Sequence, residues 1–289
     1  MKTAVMTDTN SGMMECDAEN YGIHMVAMPI IIDGKTYYEG KDIDSDTFFE
    51  ALYSDKNVST SQPSPVDVME SWEQVLQMGY DEIIYIPMSS GLSESCATAI
   101  ALSEEYEGKV YVADNHRISV TQWASALHAR KLASLGKTAA QIKEILEKTA
   151  YDASIYITVD TLDFLKKGGR ITPAVAAIGT ALRIKPVLAI QGDKLDSFAM
   201  ARSMKKGISV MIETLRKDIE TRFGGEDHVV VATAGSGLTQ EERDGYMEEV
   251  RKAFPNHQVE YYPLPLSTCV HLGRGAFGVG TYPKEPLKN

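Results

Sequence analysis

Cysteine is scarce in this sequence. Only Cys16, Cys96 and Cys269 occur in 289 residues. An odd, widely spaced set of three does not make a disulfide framework and fits a reducing compartment. Metal-ligand spacings are missing too. There is no C-x-x-C or H-E-x-x-H, and Cys269-Val270-His271 is only a pair, so no metal centre is expected. Positive charge is in deficit: 29 lysines and arginines face 40 acidic residues, a net charge of −11, with no dense basic run. That balance excludes nucleic acid and anionic membranes as general partners. The longest uncharged, mostly apolar stretch, residues 171–182, ends at Arg183 and falls short of the roughly 20 residues a membrane helix needs. The apolar piece of the N-terminal MKTAVMTD is too short for a secretion signal. These shortages together predict a cytoplasmic protein without stable membrane insertion.

What is present is an ordinary globular balance, 44% hydrophobic and 24% charged, on a chain long enough for one large or two medium cores. Short β-rich runs at 3–7, 25–32, 82–87, 109–113, 155–159, 185–190, 228–233 and 258–263 alternate with helical patterns. Several runs are almost continuously apolar, as in strands buried on both faces of a parallel sheet. Ser64-Pro65 reads as an N-cap followed by proline in the first turn, and Gly79 closes that helix. Thr138 with Gln141 and Thr239 with Glu242 have the spacing of capping boxes. The alternation predicts an α/β fold. A soft boundary near residue 153 divides it into units 1–153, with a parallel sheet, and 154–289, a second α/β series.

Ligands of α/β sheets sit beyond the carboxyl ends of the strands. Small hydroxyl, amide and carboxylate residues gather there: Thr7-Asp8-Thr9-Asn10-Ser11, Ser59-Thr60-Ser61-Gln62-Pro63-Ser64, Ser89-Ser90-Gly91-Leu92-Ser93 and Asp114-Asn115. Each is an ordinary helix cap taken singly; their repetition points toward an anion site at helix N-termini. In the second half, Asp160 or Thr161 is placed to cap a short helix, Gly168 to end it, and residues 174–182 to form a helix of small apolar side chains.

Sharper motifs fail. Gly273-Arg274-Gly275-Ala276-Phe277-Gly278 matches G-x-G-x-x-G, but only 11 residues follow Gly278, too few for the helix, strand and acidic residue of a dinucleotide site. No Walker loop is present, so no cofactor or ATP site is expected. Gly91-Leu92-Ser93-Glu94-Ser95 lacks the second glycine of a nucleophile elbow. Ser90 or Ser93 with His271 leaves a serine-type lipid or ester hydrolase as an alternative, and a regulatory module for another amphipathic carboxylate as a second.

Taken in order, Thr7-Asp8-Thr9, Thr60-Ser61-Gln62-Pro63-Ser64, Ser89-Ser90-Gly91-Leu92-Ser93, Asp114, LDFLKKGGRI followed by IKPVL, Arg202 in ARSMKKG, and His271-x-Gly273-x-Gly275-Ala276-x-Gly278 resemble the DegV family of fatty-acid-binding proteins, which includes the FakB subunits of bacterial fatty acid kinase. The match spans almost the whole chain. The resemblance implies two α/β domains with a lipid tunnel between them and one long-chain fatty acid as ligand. It implies a carrier rather than an enzyme, presenting the acyl carboxylate to a separate ATP-dependent fatty acid kinase and carrying acyl-phosphate toward phospholipid synthesis, with at most transient membrane contact. On this reading Thr60, Ser61, Ser89, Ser90, Ser93 and His271 meet the carboxylate. Gly91, Gly273 and Gly275 form a glycine cradle, Arg202 supplies positive potential for a phosphoryl group, and Asp8 and Asp114 order the groups behind them. Four departures fall at the implied head-group elements. Cys269-Val270 stand where the family usually has Gly-Thr, Arg274 where it has proline, Glu94-Ser95 where it has Gly-Thr, and Asn115-His116-Arg117 follow Asp114.

Overall fold

The computed structural model describes residues 1–177, 184–191 and 194–285. Thirteen strands among them form three sheets. They are β1 (Thr3–Asp8), β2 (Ile23–Val26), β3 (Pro29–Ile32), β4 (Lys35–Tyr38), β5 (Val58–Thr60), β6 (Glu82–Ile86), β7 (Val110–Val112), β8 (Ser154–Thr158), β9 (Lys185–Ile190), β10 (Asp196–Ala201), β11 (Val229–Ser236), β12 (Glu260–Pro263) and β13 (Ala276–Pro283).

The first sheet, ordered β2-β1-β6-β7, is parallel throughout. Its near-continuous apolar strands are covered on both faces. Ile84 and Ile86 face the helices Ser119–Ser134 and Ala139–Lys148, while Ile83 and Tyr85 face Pro65–Gln77 and Ser95–Ser103. Caps fix these helices as the sequence predicts. Ser64 Oγ accepts from Asp67 N ahead of Pro65, and Thr138 with Gln141 and Thr239 with Glu242 close reciprocal capping boxes.

The second sheet, ordered β10-β9-β8-β13-β11-β12, corrects the expectation that apolar runs here mean parallel strands. Only β11 and β12 run parallel; the other neighbours are antiparallel. The apolar runs arise because both faces are covered. One face packs on the helices Met204–Thr221 and Gln240–Ala253. The other faces the first half of the chain. Alternation along β8 sorts its side chains: Tyr156 packs toward the helices, Ile155 and Ile157 the other way. A third, antiparallel sheet, β4-β3-β5, joins that second cluster.

The expected single strand 25–32 breaks in two. Pro29 has no N–H with which to continue a ladder; Met28 N turns to Thr9 Oγ1 at 3.0 Å, and β3 starts a different sheet. The helix expected at 174–182 is described only as Pro173–Ala177; the rest of it lies outside the described residues.

The helix Ser119–Ser134 sits between the two large sheets, against β1 and β6 on one side and β11 and β13 on the other. Ten of its 16 residues are buried, too many for a one-sided amphipathic helix. The first sheet's strands all end by Val112, and the second's all begin at Ser154 or later. No described helix is long and apolar enough to cross a membrane.

Candidate functional site

A cavity with an empty volume of about 950 Å³, part of it open to solvent, lies against the inner face of the second sheet. Both halves of the chain line it. Ile155 and Ile157 of β8, Ile190 of β9, Ala234 of β11, and Gly278 and Gly280 of β13 form one wall. Met28, Met88, Leu92, Ile118 and Val120 of the first half face them. Polar lining comes from Asn10, Thr60, Ser61, Gln62, Ser93, Ser119, Arg170, Ser267, Thr268 and His271. A long apolar wall with a small polar set suits an amphipathic ligand.

At the centre of the polar set, Thr60 Oγ1 and His271 Nε2 are 2.9 Å apart. Thr60 ends β5; His271 lies in the helix Leu266–Leu272, 211 residues away. His271 Nδ1 is buried without a partner, against Gly168. A Cβ built at Gly168 would stand 2.1 Å from that nitrogen, so only glycine fits there. The helix Asp163–Gly168 instead ends through Gly169 in the left-handed conformation (φ 69°), which corrects the expected role of Gly168. Its N-cap position is Leu162, not the expected Asp160 or Thr161; Thr161 Oγ1 accepts from Asp163 N at 3.1 Å in the turn just before it. Burial, aided by the nearby Arg170 cation, lowers the His271 pKa to about 4. The ring is therefore neutral at pH 7 and carries one proton. A buried N–H without an acceptor is rarer and costlier than a bare ring nitrogen. That assigns the proton to Nε2, which donates to Thr60 and leaves the threonine hydroxyl proton free for another acceptor.

Behind this pair is a buried polar chain. Asp8 accepts from Asn10 N (2.9 Å), Met88 N (2.8 Å) and Gln122 Nε2 (3.1 Å). Asn10 Oδ1 in turn accepts from Ser267 Oγ at 2.8 Å, in the helix that carries His271. The carboxyl end of β1 is thus tied to the loop after β6 and to the histidine helix. Glu39 also fixes that helix, accepting from Leu266 N at 2.7 Å. Burial raises the Glu39 pKa to about 7 against the opposing pull of that hydrogen bond. Because the folded value is raised, the stability Glu39 contributes is full below about pH 4.5 and is lost as pH rises through 7. Glu39→Gln is expected to be near neutral at pH 5 and to gain on the order of 2 kcal/mol over the parent at pH 8. Urea unfolding at the two pH values measures this; an equal difference at both would mean that ionisation is not the cause.

The residues singled out from the sequence fall into two groups. Thr60, Ser61, Ser93 and His271 line the cavity. Ser89, Ser90, Gly91, Gly273, Gly275, Arg202, Asp8 and Asp114 are not among its lining residues. Ser89 is buried and its Oγ accepts from Gly91 N at 3.2 Å, as a turn cap. Ser90 is exposed, and its N–H donates to Asp114 Oδ1 at 3.3 Å, which joins the loops after β6 and β7. Arg202 is exposed at the end of β10. Gly273 (φ 70°) caps the histidine helix, where a Cβ would meet the Phe164 ring at 2.6 Å; Gly275 (φ 77°) donates its N–H to Ser236 O at 2.8 Å. The glycines that face the cavity are Gly278, already within the motif, and Gly280, outside it.

Arg170 is the functional candidate that sequence reasoning did not single out, although LDFLKKGGRI contains it. It is the one cation among the described lining residues. Its guanidinium donates to Gly168 O, on the segment against His271. The departures at 269, 270 and 274 also find a place. Cys269 and Val270 are buried in the apolar core beside the cavity. Arg274 N donates to Tyr53 OH at 2.8 Å, a bond proline cannot make, and its guanidinium stacks on Phe49 at 4.2 Å. Arg274 is thereby held by packing on the helix Ser45–Leu52.

An α/β chain with an apolar cavity between its halves and a hydroxyl–imidazole cluster at its polar side has the form of a lipid-binding protein. The family model described as an uncharacterised protein of the DegV family matches residues 2–284; the chain belongs to the DegV family. A DegV domain-containing protein of Deinococcus radiodurans is 29% identical over 284 residues, 98% of this chain and 99% of that one. Among solved structures, a fatty acid binding DegV family protein from Streptococcus agalactiae superposes with a TM-score of 0.87 at 27% identity, covering 99% and 100% of the two chains. DegV, a fatty acid binding protein from Bacillus subtilis, does so with a TM-score of 0.83 at 28% identity, covering 98% and 100%.

Proposed function

We propose that this protein binds one long-chain fatty acid, with its carboxylate at Thr60 and His271 and its alkyl chain along the inner face of the second sheet. The observation that carries the reading is the Thr60–His271 pair at one apolar cavity. Neutral His271 donates to Thr60, and Thr60 donates its hydroxyl proton to a carboxylate oxygen. Ser61 and Ser93 offer further hydroxyls, and Arg170 the balancing charge. Burying each methylene contributes about 0.8 kcal/mol, which drives binding; the polar cluster offsets the cost of removing a carboxylate from water. Ser89, Gly91, Asp8 and Asp114 shape the loops behind the contacts, and Gly273 and Gly275 the turn after His271. In this reading units 1–153 and 154–289 close over the ligand from either side.

The protein acts in the cytoplasm as a carrier that catalyses nothing itself. It offers the carboxylate to a separate ATP-dependent kinase and carries the acyl-phosphate toward phospholipid synthesis, touching the membrane only transiently. Ser90 and Arg202, exposed outside the cavity, are available to that kinase and to its phosphoryl group. The hydrolase alternative finds no support: His271 Nδ1 has no carboxylate to orient the ring as a triad requires.

Native mass spectrometry of freshly purified protein tests the reading. One bound C14–C20 acid, released on denaturation and phosphorylated only when ATP and a kinase subunit are added, is the expected result. A protein that is empty and takes up no added fatty acid would overturn it.

A further inference from the structure

β13 alternates in a way that its own fold does not require. Phe277 and Val279 pack outward into the helix-covered core. Gly278 and Gly280, on the opposite face, line the cavity, and Val279 between them also borders it. Glycine at 278 is not needed for backbone conformation, since its φ is not positive. Nor is it needed for packing, because an added Cβ would meet nothing closer than Ala234 O at 3.7 Å, ordinary contact. A strand interior loses stability with glycine, and a side chain there would rest on Ile157 and Ala234, its partners across β8 and β11. The room left by the missing side chain is cavity. Gly280 differs: a Cβ there would press on Val120 Cγ2 at 3.1 Å and Ser154 O at 3.3 Å. Its bareness lets the helix Ser119–Ser134 approach the sheet.

We infer that Gly278 is a specificity-determining position that sets how long an acyl chain the cavity accepts, by leaving open the passage between the polar cluster and the region of Ile155, Ile190 and Gly280. The inference rests on the fatty-acid reading above. β13 leads away from the turn after His271, and β8 runs antiparallel to it. A chain anchored at Thr60 therefore passes Gly278 before it reaches Ile155 and Ile190, which pair with each other across β8 and β9.

The test is a chain-length series, decanoic to octadecanoic acid, titrated against the parent, Gly278→Ala and Gly278→Val. Affinity of the parent should rise with every pair of methylenes. In Gly278→Val the rise should stop partway, so that the longest acids lose about fourfold for each methylene left unburied while the shortest bind as to the parent. Gly278→Ala, whose methyl fits without displacement, should shift the longest acids in the same direction by a smaller factor. Retained binding of the short acids shows that each variant is folded. A parent that binds none of the acids would sink the fatty-acid reading and this inference with it. Parallel chain-length profiles in parent and variants, with tight binding throughout, would overturn the inference alone; should the valine variant not fold, the alanine profile decides.

Discussion

Thr60→Val is expected to weaken long-chain fatty acid binding by roughly 10- to 100-fold, the worth of one hydrogen bond to a charged group. Valine keeps the shape of threonine at the end of β5, so the apolar wall and the alkyl contribution stay intact. What is lost is the oxygen that both accepts from His271 and donates toward the cavity. The substitution also leaves the Nε2 proton of a buried, neutral imidazole without an acceptor, with a stability loss of about 1–3 kcal/mol in the ligand-free protein. Thr60→Ser, which restores the oxygen, should recover most of both losses. Calorimetric titration with a single acid of fixed length reads the affinity, and urea unfolding reads the stability. Unchanged affinity in the valine variant would move the carboxylate away from Thr60, toward Ser93 or Arg170.

The pair behind that prediction shows what a sequence reveals and what it withholds. Hydroxyls at strand ends and a histidine beside glycines are visible as residue types. That Thr60 and His271 touch across 211 residues is a product of topology, because β5 belongs to the small third sheet against which the histidine helix packs. The parallel first sheet was legible, since its strands are separate apolar runs with capped helices between them. The second sheet was not. An apolar run in β8 or β9 records burial on two faces, which antiparallel strands also experience when helices cover one side and a cavity lines the other. The short strands β4 and β5 fell below the length at which periodicity is readable, and β3 lies within the run 25–32, which reads as a single strand. Among glycines, the sequence pointed at 273 and 275, where the backbone turns; those that shape the cavity, 278 and 280, sit in an extended strand whose pattern alone reads as weak β-structure. Ser90 and Ser93 look alike in sequence. Only the turn that caps Ser89 onto Gly91 makes one exposed and the other part of the lining.

Replacing Asp8 by alanine is expected to cost about 3–5 kcal/mol, the range for stripping a buried polar centre of its acceptor. Asp8 is fully buried, and Met88 N, Asn10 N and Gln122 Nε2 all donate to it. When the carboxylate goes, Gln122 Nε2 keeps Thr7 Oγ1 and Ile86 O as acceptors, but the buried Asn10 N and Met88 N lose theirs. Burial outweighs the three donors and raises the Asp8 pKa to about 6. In acid the native state thus holds a proton that the unfolded chain releases. Stability from this group is full below about pH 4 and is lost as pH rises through 6, by about 3 kcal/mol in all. Asp8→Asn cannot ionise and keeps the acceptor for Asn10 N and Gln122 Nε2, but sets its amide N–H2 against Met88 N; it should lie below the parent near pH 4 and lack the parent's decline toward pH 7. Asp8→Ala should be destabilised at both. His271 and His128, both lowered to about 4 by burial, act in the opposite sense, adding stability as pH rises from 4 to about 6.5. The parent curve alone therefore hides the aspartate, and the comparison that isolates it is parent minus Asp8→Asn across pH 4–7. A flat difference would mean that Asp8 keeps one protonation state through that range. A decline that follows the aspartate would show that the knot tying β1 to the histidine helix loses stability when its carboxylate ionises. Since the same knot holds Ser267 through Asn10, Asp8→Ala should also lower fatty acid affinity, whereas Asp8→Asn should leave it unchanged.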